Sequence, residues 1–133
     1  MRAAAPRDLI ARQYAENFTT VFGQVLPWLV ESRGSGLNLT QSIVHTHVRL
    51  LAAEPDSLIA RKCGLDTARE ASARAARALE AGEPHSDAYG EALADLDFWL
   101  RSDHHRRNPG TTADLVTAGL FAAIREGVIG PEG

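Results

Sequence analysis

Cysteine is almost missing from this chain: Cys63 is the only one among 133 residues. One thiol allows neither an intramolecular disulfide nor a cysteine-based zinc site, and it fits a reducing, cytoplasmic setting. No apolar run approaches the roughly 20 residues that cross a bilayer. The opening Met1–Arg7 stretch has no apolar segment behind it, so it does not read as a secretory signal peptide. A basic excess is lacking as well. Fourteen Lys and Arg face 17 Asp and Glu, for a net charge of −3, which argues against a generic nucleic-acid binder. Local basic clusters remain free to serve a phosphorylated small molecule.

Alternating apolar–polar segments are absent, so no strand is expected. There is no glycine-rich loop of Rossmann or Walker type, no zinc-protease helix and no serine elbow. His45 and His47 are two apart, which sends them to different faces of a helix. His104 and His105 are adjacent, so regular structure does not aim both at one ion. Neither pair points to a transition-metal site.

What is present is helical periodicity. Apolar residues make up 44% of the chain and charged residues 23%, a globular balance, and the length suits one domain spanning 1–133. Ile10, Tyr14, Phe18, Val21, Val25 and Leu29 recur at steps of three and four. They predict a first helix from about Pro6 to Glu31, which Pro27 should kink or end near Leu26. Gly34-Ser35-Gly36 breaks the chain. A second helix is expected from about Thr40 to Ala53, capped by Asn38 or Thr40 and ended by Pro55. A short helix covers Asp56–Lys62. Thr67 and Glu70 have capping-box spacing for an alanine-rich fourth helix that Gly82 terminates. Ser86 or Asp87 caps a fifth, striped by Tyr89, Leu93, Leu96 and Leu100, with Trp28, Phe98 and Trp99 taken as core. After the polar run Asp103–Arg107 and the Asn108-Pro109-Gly110 turn, Thr111 opens the last helix, which ends near Gly127. The expected fold is all-α, a single compact domain of five or six helices that reads as half of a larger helical fold.

Two places can carry chemistry. Asn108-Pro109-Gly110-Thr111-Thr112-Ala113-Asp114-Leu115 delivers a glycine turn into a helix start, where free amides and the positive dipole end converge. The hydroxyls of Thr111 and Thr112 add donors, and Arg106 and Arg107 lie just upstream, so phosphate oxygens could sit here. Thr111 and Asp114 also have capping-box spacing, and the motif would equally serve only to start a helix. Asp56-Ser57-Leu58-Ile59-Ala60-Arg61-Lys62 offers a carboxylate for magnesium, which needs only one or two from the protein when phosphates supply the rest, and then two cations. Here too Asp56 could be no more than a helix cap.

These same segments carry a family resemblance. NPGTTADL at Asn108–Leu115 resembles the closing motif of triphosphoribosyl-dephospho-CoA synthases, and DSLIARK at Asp56–Lys62 is similar to that family's other C-terminal signature. RDLIARQYAENF, Arg7–Phe18, is similar to the helix that opens the second half of many members. The proline-lysine-proline-glycine segment and the histidine-aspartate motif of the family's first half do not occur, so the chain is expected to be a fragment or one half of a split enzyme. An apolar surface meant for that half is expected with it.

The resemblance implies a transferase. The 2'-hydroxyl of dephospho-CoA attacks the anomeric carbon of the ATP ribose and adenine leaves, forming a prosthetic-group precursor for an acyl carrier. ATP and dephospho-CoA are then the small-molecule partners and Mg2+ the cofactor. No nucleic acid or membrane is implied, and a homo-oligomer is left open. On this reading Asp56 and Asp114 are magnesium- or sugar-facing carboxylates. Arg61 and Lys62 hold the triphosphate, Gly110, Thr111 and Thr112 present donors to phosphate, Asn108 orients a sugar hydroxyl or the turn, and His104 carries a proton. The competing reading is a non-catalytic helical module that binds a nucleotide or CoA-like ligand, or pairs with a separate N-terminal half.

Overall fold

A computed structural model describes residues 15–130; the part of the first expected helix before Ala15 lies outside them. Six α-helices and no strand occur among the described residues. Residues 15–20 are helical and run into a π-turn at Val21–Val25, which α1, Leu26–Gly34, continues directly. Pro27 therefore neither ends nor interrupts the run. The wider turn lets the Leu26 amide reach the Val21 carbonyl, and Pro27 falls in the first turn of α1, where an N–H is not needed. Gly36, at φ 103°, makes the break.

α2, Leu39–Ala53, starts on a full capping box. Asn38 Oδ1 accepts the Gln41 amide at 2.8 Å, and Gln41 Oε1 accepts the Asn38 amide at 2.9 Å. α3, Ser57–Cys63, follows from Asp56. Gly64, at φ 98°, turns α3 straight into α4, Leu65–Glu80. The Thr67–Glu70 box is not formed: the glycine turn starts the helix two residues early and leaves Thr67 inside it, while Glu70 pairs with Arg74 at 2.9 Å. α5, Asp87–Arg101, is capped by Ser86, whose Oγ accepts the Tyr89 amide at 3.1 Å. α6, Gly110–Arg125, has Pro109 at its cap and no side-chain bond of its own there, so the Thr111–Asp114 box does not form either.

Packing follows the small residues. Ala68, Ala71, Ala75 and Ala78 recur at steps of three and four on α4 and are all buried, so α2, α3 and α5 can approach α4 closely. Their cluster includes Val48, Leu51, Ile59, Leu96 and Leu100. On the other side of α2 a second cluster joins Val25, Leu29 and Leu50 to Val116 and Ala123 of α6. α2 is thus the shared wall between two cores, and α3 lies against both α4 and α6.

Gly119 marks the closest approach of α6 to the π-turn, since a Cβ there would overlap Val25 Cγ1 and Cβ. Gly119→Ala is expected to destabilise the fold by about 1–3 kcal/mol, because overpacking outweighs the gain in helix propensity. An unfolding midpoint at or above wild type would show that the two segments separate freely.

Candidate functional site

Asp56 is the physical centre of the two motif segments. Its backbone caps α3, and its Oδ1 accepts the amides of Leu58 at 2.9 Å and Ile59 at 3.0 Å. Its Oδ2 accepts both the amide and the hydroxyl of Thr112, each at 2.7 Å. Thr112 stands in the first turn of α6, so one carboxylate, only 2% exposed, caps two helices that are 56 residues apart in sequence. Ser57 Oγ and Thr111 Oγ1 bond at 2.7 Å beside it. A Cβ at Gly110 would lie 2.5 Å from Leu58 Cδ2, so a side chain there requires the Leu58 methyl to move. The segments Asp56–Lys62 and Asn108–Leu115 therefore form one structural unit.

A cleft of about 360 Å³ opens along this unit. Ser57, Thr111 and Thr112 form one wall, and Glu16, Asn17 and Glu54 face it. Its charged lining is acidic. Asp114 is exposed and lies over an adjoining groove, which shares Asn17 and Leu115 with the cleft. Arg61 and Lys62 are elsewhere. They occupy the last turn of α3, a helix length of about 10 Å from its start, and are exposed. There the Arg106 guanidinium donates to the Lys62 carbonyl at 3.3 Å. The structure thus joins Asp56 to Thr112 and Ser57 to Thr111, sets Asp114 on the adjoining groove, and leaves the cations at the opposite end of α3.

The groove over Asp114 is apolar. Phe18, Phe22 and Phe121 line it and stay exposed among the described residues.

The loop from α5 to α6 is an unusual piece of backbone. Asp103, His104 and His105 all have positive φ, at 55°, 59° and 62°, a left-handed run that costs non-glycine residues roughly 1–2 kcal/mol each. Contacts at both ends hold it. Arg107 stacks on Trp99 at 4.4 Å and donates to Ser102 Oγ at 2.8 Å, and Cys63 Sγ donates to the Arg106 carbonyl at 3.3 Å. The run turns His105 and Asn108, but not His104, toward a second cavity of about 430 Å³ between α2 and α5. His47 lines the same cavity. Sequence periodicity missed His47 and His105. Only the left-handed turn decides which of the two adjacent rings lines the cavity, and His105 stays exposed at its rim.

Burial pushes His47 below its ordinary range, with Asp56 opposing. His45 is pushed down by burial and then by Arg49, against Glu31. Burial also raises Tyr89 to about 12, so the 2.7 Å bond between His45 Nδ1 and the Tyr89 hydroxyl joins two neutral groups at pH 7. Both histidines favour the neutral form when folded, and the unfolded chain binds their protons near pH 6.5. Stability is therefore full above that value and is lost as pH falls below it. Urea midpoints are expected to drop between pH 7.5 and 5.5, and His47→Gln should flatten the drop. An equal drop in the variant would remove His47 as a cause.

Magnesium tests differently at each carboxylate. Both oxygens of Asp56 are taken by four protein donors, so Asp56 does not fit as a direct ligand. No group of three or more His, Cys, Asp or Glu converges among the described residues. Among the described residues, Asp114, Glu16 and Glu54 are the exposed carboxylates of the groove and the cleft, and one or two suffice for an ion already carried by phosphates. No helix among the described residues is long and apolar enough to cross a membrane.

No curated protein and no solved structure matches the chain. Residues 1–131 match the family described as CitG: ATP:dephospho-CoA triphosphoribosyl transferase. The match spans essentially the whole chain, well beyond the three motif segments. This chain belongs to the ATP:dephospho-CoA triphosphoribosyl transferase family.

Proposed function

We propose that the chain transfers the triphosphoribosyl group of ATP to the 2'-hydroxyl of dephospho-CoA. The new bond forms between that oxygen and the anomeric carbon. The carbon–nitrogen bond to adenine breaks, its electron pair and one proton leave with adenine, and the hydroxyl proton passes to a base. The triphosphate stays on the sugar, and the product serves prosthetic-group biosynthesis. One observation supports this reading most: Asp56 fuses the two family motifs into one wall of an acidic cleft.

Negative charge in that cleft suits an oxocarbenium-like centre. Asp114 on the adjoining groove is the sugar- and magnesium-facing carboxylate, with Glu16 and Glu54 in the cleft itself, whereas Asp56 positions Thr112. Magnesium neutralises charge on the triphosphate when bound. Thr111 offers donors at the helix start, whereas the Gly110 amide is given to the Asn108 carbonyl at 2.9 Å and the Thr112 donors to Asp56. Asn108 orients a sugar hydroxyl or the turn, and His104 is the proton carrier on the exposed loop. Arg61 and Lys62 draw the outer phosphates along α3. The use of ATP and the lone Cys63 support a cytoplasmic setting.

The test is incubation with ATP, Mg2+ and dephospho-CoA, of the chain alone and with an N-terminal half from a longer family member. Free adenine and triphosphoribosyl-dephospho-CoA should form in equal amounts. A folded chain that binds nucleotide yet releases no adenine in either arm would instead be a non-catalytic binding module.

A further inference from the structure

The cavity between α2 and α5 enters the transfer chemistry above only through Asn108 at its rim. Val44, Val48, Leu96 and Leu100 give it aliphatic walls, and His47, His105 and Asn108 supply polar groups. Asp97 and Arg101, which also line it, are paired with each other at 2.9 Å on α5, so its acidic and basic lining offset each other among the described residues. Aliphatic walls with amide and imidazole groups beside them match a nucleobase, which is read by hydrogen bonds to its edge while its faces lie on apolar side chains. The Asn108 amide offers a donor and an acceptor together, and so does a neutral imidazole. Burial keeps His47 in that neutral form. The strained Asp103–His105 run is anchored from outside by Arg107 on Trp99 and by Cys63. Such strain persists only where its surroundings enforce it, and it concentrates at ligand sites.

We propose that this cavity is a purine subsite for an adenine moiety, with Asn108 and His47 reading the base edge. It rests on the transfer reading only for the source of the base, because ATP and dephospho-CoA both carry adenine. The cavity abuts the Asn108–Pro109 turn that leads into Thr111 and Thr112 of the acidic cleft.

The test is titration of the full chain with free adenine, followed by calorimetry or by shifts of the His47 ring resonances. Saturable binding is expected, weakened at least tenfold in Asn108→Ala and in Val44→Trp. Val44 is exposed and lines the cavity, so its replacement fills the space without entering the core. Phe98→Ser, at an exposed position outside the cavity, should bind like wild type, and circular dichroism should show all three variants folded. Competition by ATP and by dephospho-CoA, separately, assigns the base to one substrate. No saturation by about 5 mM adenine, or wild-type affinity in both cavity variants, overturns the subsite. Adenine binding lost in the variants from a chain that never releases adenine from ATP supports the subsite and sinks the transfer reading. Unchanged adenine release in Val44→Trp does the reverse.

Discussion

Asp56→Ala is expected to lower the unfolding free energy by about 3–5 kcal/mol, the largest loss of any single substitution in the motif segments. The alanine leaves the amides of Leu58, Ile59 and Thr112 without their acceptor. Each buried donor left unpaired costs roughly 1–3 kcal/mol, offset in part where water reaches it. Asp56→Ser separates the two halves of the effect. Serine caps α3 as well as aspartate does, but it is too short to reach Thr112. It should recover only about 1 kcal/mol of the loss, and the remainder belongs to the bond between segments. Full recovery by serine, read from urea midpoints, would reduce Asp56 to an ordinary cap.

Asp114→Asn is expected to cut adenine release from ATP by two orders of magnitude or more while helicity and melting stay as in wild type. Asp114 is exposed, makes no cap bond at the start of α6 and lies beside the acidic cleft. Its charge therefore contributes little to the fold. Asparagine preserves size and polarity but cannot neutralise a cationic sugar or magnesium. A loss of about 3 kcal/mol of transition-state stabilisation corresponds to the hundredfold fall. Unchanged turnover would remove Asp114 from the site, and a parallel loss of helicity would assign it a structural role instead.

The helices were legible because their faces repeat: the alanine stripe of α4 and the leucine stripe of α5 follow directly from spacing. Stops at Gly34–Gly36 and Pro55 were equally legible, because both residue types act through local backbone geometry. Starts were harder. Thr67 and Thr111 each have an acid three residues on, yet neither helix begins there. The left-handed Gly64 starts one, and the other borrows its cap from Asp56. A cap donated across 56 residues leaves no local signal. The same limit hid the cavity, since the place of His105 at its rim depends on three consecutive left-handed residues. Pro27 marks the change from π-turn to α-helix near Leu26 without stopping the run, because the wider turn absorbs a missing amide.

The account turns on the claim that one buried carboxylate makes a single unit of the two motifs. A double-mutant cycle between Asp56→Ser and Thr112→Val, read as unfolding free energy, measures that link directly. The Thr112 hydroxyl lies 2.7 Å from Asp56 Oδ2 in a buried setting, and hydrogen bonds to charged groups contribute about 1.5–3 kcal/mol. A coupling energy of about 1.5–3 kcal/mol is therefore expected. Additive losses, with coupling within about 0.5 kcal/mol of zero, would contradict it and leave Asp56–Lys62 and Asn108–Leu115 as neighbours rather than one site.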